Sequence, residues 1–99
     1  MLFRSATAYT SSPQQASGDP AVGAWGDELV PGVRAIAVSP DLVERGLRHG
    51  VEVQIEGLDG TWTVLDKMPA RWSQKIDIYM GSDLEAARQW GRRNVTIRW

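Results

Sequence analysis

The stretch from Trp62 to Tyr79 constrains this chain most, because it sets two strand-like segments, each carrying an aspartate, on either side of a polar loop. Side chains of a strand alternate between faces. Trp62, Val64 and Asp66 therefore fall on one face of the first segment, and Thr63 and Leu65 on the other. In the second segment Ile76 and Ile78 point one way, and Lys75, Asp77 and Tyr79 the other. Asp77 is flanked by two β-branched residues that favour burial, while a cation and a phenol share its own face. Such a face can be a site wall or a solvated surface, and alternation alone does not choose.

The rest of the chain reads as further short strands. Leu2 to Thr10 alternates as a strand, and Ser11 to Asp27, rich in Ser, Pro, Gly, Asp and Gln, reads as a long loop. Val33 to Val38 is a nearly continuous apolar run, as expected of a central strand. Ser39-Pro40-Asp41 then opens a short helix: serine as cap, proline at the first position, an acid at the positive end. Gly46 is expected to stop it. Val51 to Glu56 and Trp62 to Asp66 form a hairpin about Asp59-Gly60. Ser82 with Glu85 three residues on reads as a capping box for a second helix ending near Trp90, with Leu84, Ala86, Ala87 and Trp90 as its apolar side. Asn94 to Trp99 alternates as the last strand. The expectation is mainly β: one domain over residues 1–99, six strands and two short helices, in a small closed or nearly closed barrel. No internal repeat is visible.

Composition narrows the chemistry. A net charge of −1 and the absence of a basic block argue against nucleic acid as partner. With no cysteine, thiolate metal sites are excluded. The single histidine, His49, lies in a polar turn and reads as solvated, and no dense acidic loop suggests a hard-cation site, so no metal or cofactor is expected. No apolar run reaches membrane-spanning length. Met1 to Ser5 lacks the apolar core of a signal peptide, which leaves compartment open, as is oligomeric state. What remains is carboxylate chemistry. An acid in an apolar or anionic setting keeps its proton to higher pH and can give it to a leaving oxygen. Asp77, with Asp66 as neighbour, is the best-placed acid. Asp41 has a simpler explanation as a first-turn acid. Trp25 either plugs the long loop onto the barrel or offers a sugar-stacking face, and Trp72 either anchors its loop or floors a cleft.

Several segments, in order, resemble the three-aspartate (3D) domain of stationary-phase survival proteins and of one class of membrane-bound lytic transglycosylases. They are Ala8-Tyr9-Thr10, Ala35-Ile36-Ala37-Val38-Ser39-Pro40, Val51 to Gly57, Asp66, Ile76-Asp77-Ile78-Tyr79-Met80, Trp90 to Arg93 and Val95 to Ile97. The resemblance implies a double-psi β-barrel and lytic cleavage of peptidoglycan glycan strands or a related polysaccharide at the cell envelope. It implies Asp77 as acid/base, with Asp66 orienting the sugar or tuning Asp77, and an anhydro-sugar product formed without water. The family's first aspartate falls at Ser39, with Asp41 as candidate replacement. Asp66-Lys67-Met68-Pro69 stands where the family has Asp-Thr-Gly-Gly. Tyr9, Trp25, Arg71, Trp72, Lys75 and Tyr79 are the candidate substrate contacts: aromatic faces for stacking, Arg71 and Lys75 for acidic groups. The alternative is a barrel that binds cell-wall glycan or a protein partner without cutting.

Overall fold

In a computed structural model, which describes residues 2–10 and 21–99, six strands pair into a sheet that closes on itself. They are β1 (Leu2–Tyr9), β4 (Ala35–Val38), β5 (Glu52–Ile55), β6 (Trp62–Lys67), β7 (Lys75–Tyr79) and β8 (Arg93–Arg98), in the order β1-β7-β4-β6-β5-β8. A two-stranded ribbon, β2 (Ala21–Val22) and β3 (Glu28–Leu29), stands apart. Helices α1 (Pro40–Glu44) and α2 (Leu84–Trp90) follow β4 and β7. The fold is mainly β, as alternation implied. Residues 11–20 of the expected long loop lie outside the described residues.

The core sits inside this sheet. Ile36, Val38, Val53, Val64, Ile76, Ile78 and Ile97 are fully enclosed. Each such side chain contributes roughly 1.5–3 kcal/mol by leaving water. Trp90 closes one side from α2, its indole N–H donating to the Ala6 carbonyl at 3.2 Å. A second, smaller cluster of Leu29, Ala35 and Tyr79, with Tyr9, Val33 and Leu65 against it, lies on the outer face under the β2–β3 ribbon.

The pairing has a two-fold pattern that the residues do not advertise. Exchanging β1 with β6, β4 with β7 and β5 with β8 carries the set of pairings onto itself with every sense preserved. The parallel pair β1–β7 becomes β6–β4, and the antiparallel pair β1–β8 becomes β6–β5. The pairs β4–β7 and β5–β8 map onto themselves, the former centred on Ala37 opposite Asp77. Each half is strand, long connection, strand, helix, strand.

Both helix starts differ from expectation. Ser39 is the N-cap residue of α1, yet its hydroxyl caps nothing; it accepts the Lys75 amide at 3.0 Å instead. For α2 the cap is Asp83, which accepts the Ala86 amide at 3.0 Å, and Ser82 lies outside the helix. Aspartate and serine both cap well, and the helix begins one residue later than the capping-box spacing suggested. Leu84 is exposed rather than packed, because it stands at the first helical position, ahead of the buried Trp90.

Candidate functional site

The site is built on one row across the outer face of the barrel. Ala37 on β4 faces Asp77 on β7, which faces Thr7 on β1. On its other side Ala37 faces Asp66 on β6. Asp66 and Asp77 therefore flank a small residue, two strand spacings apart, or about 10 Å between backbones. Simple alternation put Asp66 on one face with Trp62 and Val64, both of which are buried. The structure corrects this. The β4–β6 register slips between Ile36 and Ala37, so that Ile36 pairs with Val64 and Ala37 with Asp66. Leu65 is the extra residue of a bulge, and the bulge turns Asp66 out to the side of Asp77.

Asp77 is half-buried and accepts the Thr7 hydroxyl on Oδ1 at 3.0 Å. Burial pushes its pKa up, and the negative charge of Asp66 adds to this; the Thr7 bond and the Lys75 charge oppose it without cancelling it. Among the described residues it forms no ion pair. Thr7 was not singled out from sequence; its signal was its place two residues before Tyr9 on an alternating strand.

Asp66 is more heavily engaged. Its Oδ1 accepts the amides of Ala24, at 2.8 Å, and Lys67, at 2.9 Å. Its Oδ2 accepts the Tyr9 hydroxyl at 3.3 Å. Tyr9 thus links β1 to β6, strands that are not neighbours. Burial above all, then the charges of Asp66 and Asp77, raises the Tyr9 pKa, so the phenol stays a donor. The Ala24 bond fixes the turn at 23–27 over the site. Gly23 packs so closely on the β6 backbone that a Cβ there would lie 2.0 Å from the Leu65 carbonyl oxygen. Neither Gly23 nor Ala24 carried a sequence signal.

The remaining candidates separate. Tyr79 is 1% exposed and donates to the Leu29 carbonyl at 3.1 Å, so it is a core residue rather than an open contact. The second apolar cluster covers this part of the outer face. Trp25 is 38% exposed and stacks on His49 in the turn before β5, ring centroids 5.0 Å apart. His49 is not merely solvated, since its Nε2 lies 2.5 Å from Asp27 Oδ2. Asp41 has a structural task. Both its oxygens accept the Gln74 amide, at 3.2 and 3.1 Å. Burial alone would raise its pKa, but the Ser39 hydroxyl, the Gln74 amide, its own amide and the Arg4 charge outweigh this and lower it. It is an ionised anchor, poorly suited to replace a proton donor. Arg71 and Trp72 of the β6–β7 loop gather with Lys75, the first residue of β7, the Lys75 ammonium 4.2 Å and the Arg71 guanidinium 5.3 Å from the Trp72 ring centre.

A groove of about 490 Å³ opens elsewhere, between the β5–β6 turn and β8, lined by Gln54, Glu56, Asp59, Thr96 and Arg98 among others. Its Glu56 is engaged by the Thr96 amide at 3.1 Å. Chemistry favours the acid row over that groove, because burial and the Asp66 charge push the pKa of the half-buried Asp77 carboxyl above its ordinary value. Among the described residues no three acids or histidines gather to hold a metal, and no helix is long and apolar enough to cross a membrane. Comparison with protein-family models returns no match, and comparison with curated proteins returns none either.

Proposed function

We propose that the chain is a double-psi barrel of the 3D type that cleaves a cell-wall polysaccharide, with Asp77 as its acid. The observation that carries this reading is the half-buried Asp77 carboxyl. It has no ion-pair partner among the described residues, a second carboxylate one strand beyond its neighbour, and a raised pKa. Thr7 donates to Oδ1, and no hydrogen bond from the described residues reaches Oδ2, which would carry the proton. Protonated Asp77 gives that proton to the glycosidic oxygen as the bond from C1 to that oxygen breaks. The sugar's own 6-hydroxyl then bonds to C1, its proton passes to the Asp77 carboxylate, and an anhydro ring closes without water. Asp66 acts through its charge, and Tyr9 holds Asp66.

One observation favours a second reading, a barrel that binds glycan without cutting it. Asp66 spends its acceptors on the protein's own groups, Ala24, Lys67 and Tyr9. The two readings part on Asp77→Asn. The enzyme loses release of anhydro-ended fragments from purified peptidoglycan while still sedimenting with it. If wild-type protein sediments with the glycan and releases nothing, the binding reading stands; if Asp77→Asn still releases fragments, Asp77 is not the acid.

A further inference from the structure

The turn at 23–27 grips β6 from two sides. On one side the Ala24 amide donates to Asp66 Oδ1 at 2.8 Å. On the other, Asp27 Oδ2 lies 2.5 Å from His49 Nε2, and the amide of Gly50, the next residue, donates to the Val64 carbonyl at 2.8 Å. Both legs land on β6, at Val64 and at Asp66. Between them Gly23 rests on the Leu65 carbonyl oxygen, where a Cβ would lie 2.0 Å away. The turn therefore straddles the bulge that carries Asp66 to the outer face.

This turn passes a displacement on rather than absorbing it, because it is closed on itself. The Gly23 amide donates to the Asp27 carbonyl at 2.8 Å, and the Gly26 amide to the Gly23 carbonyl at 3.0 Å, so Ala24 and Asp27 move together. The His49 end is fixed as well. The Val51 amide donates to the Arg48 carbonyl at 3.0 Å, and the Val64 amide to the Val51 carbonyl at 3.0 Å. Facing a carboxylate, Nε2 is the donor. Trp25 stacks on the same imidazole with the planes 25° apart, so the turn holds the ring by its face and by its edge.

Global stability does not account for the arrangement. The side chains of His49 and Asp27 are 43% and 34% exposed, and pairs in that much water contribute little to folding. The base of the turn is anchored by the β2–β3 pairing and the buried Leu29. What His49 governs is the tip. The Ala24 bond to Asp66 is itself exposed, so water takes the place of the amide whenever the tip lifts.

We propose that His49 is a positioning residue of the acid row: through Asp27 and Trp25 it holds the 23–27 turn across the β6 bulge, so that Ala24 fixes Asp66 beside Asp77. The consequence for turnover rests on the cleavage reading above, in which the Asp66 charge acts on Asp77.

The experiment compares the intact chain with His49→Ala, Asp27→Ala and His49→Gln. Glutamine can present an amide N–H close to the place of the imidazole Nε2. Amide exchange, the Asp66 carboxyl carbon shift, the melting temperature and release of anhydro-ended fragments from purified peptidoglycan are read on each. His49→Ala and Asp27→Ala are expected to speed exchange at Ala24 at least about tenfold relative to the β7 amides, with a fall in melting temperature of no more than about 5 °C. The Asp66 carbon should move in both, and release should fall at least about tenfold. His49→Gln should restore most of each. Exchange that rises equally at Ala24 and throughout β7 would mean that His49 merely stabilises the fold, and overturns the proposal. An unmoved Asp66 carbon, a His49→Gln protein no better than His49→Ala, or full release from a protein whose Ala24 protection is lost also overturns it. If wild type releases nothing, the cleavage reading falls, and exchange and the carbon shift alone decide the role of His49.

Discussion

Substituting Gly23 by alanine tests how the acid row is covered. The added carbon would sit 2.0 Å from the Leu65 carbonyl oxygen, against at least 3.4 Å for ordinary contact. Leu65 belongs to the bulged part of β6 and cannot yield without disturbing the pairing with β4. The 23–27 turn must therefore move by more than 1 Å, which breaks the 2.8 Å bond from Ala24 to Asp66. A hydrogen bond to a charged group contributes about 1.5–3 kcal/mol. If the turn carries β3 with it, Leu29 loses its burial, at roughly another 1.5–3 kcal/mol. The Tyr79 hydroxyl then loses its partner as well. The expected loss is about 3–6 kcal/mol, a large part of the stability of a domain this size. It appears as a fall in melting temperature of at least about 12 °C by circular dichroism, with loss of exchange protection at the Ala24 amide. A melting temperature within about 2 °C of wild type, with that amide still protected, would refute the close approach of Gly23 to β6.

Other outcomes follow from the same contacts. Asp77→Asn should raise stability at neutral pH. The folded pKa is raised, so the unfolded chain releases the Asp77 proton first as pH rises, and folding stability falls until the folded pKa is passed. The gain in melting temperature should vanish near pH 3, where the carboxyl is protonated in both states; a gain that persists there contradicts the assignment. Asp41 has the opposite sign. Its pKa is lowered, so its contribution is present above the ordinary carboxylate range and lost as pH falls, and Asp41→Asn should flatten the acid limb of stability against pH. Tyr79→Phe leaves the Leu29 carbonyl without its partner and should cost about 1–3 kcal/mol in urea unfolding. Gln74→Gly should stabilise by about 1 kcal/mol, because glycine adopts the positive φ without strain; it does so at the expense of the rigidity that holds Lys75.

Period-two alternation made the strands and their inner faces legible. Ile76 and Ile78 are buried, and Asp77 lies outside, as their order implied. Alternation failed at Leu65, since a bulge leaves no local mark in residue type, and one extra residue moved Asp66 to the opposite face. It also could not tell that Tyr79, on an outer face, is buried; the ribbon that covers it lies some fifty residues away in sequence. The two-fold pairing pattern is invisible in the sequence because equivalent positions carry different chemistry. Asp77 corresponds to Ala37, and Asp66 to Thr7. Asp41 was legible as a helix acid, but its bonds to Gln74 connect segments that only the β4–β7 pairing brings together.

The most direct test of the account is the titration of Asp77, followed by the carboxyl carbon shift in the intact protein and in Asp66→Asn. The account predicts a midpoint above the ordinary aspartate value, moving down when the Asp66 charge is removed. A midpoint at or below the ordinary value, unchanged by Asp66→Asn, would mean that Asp77 is a solvated carboxylate without a proton to give.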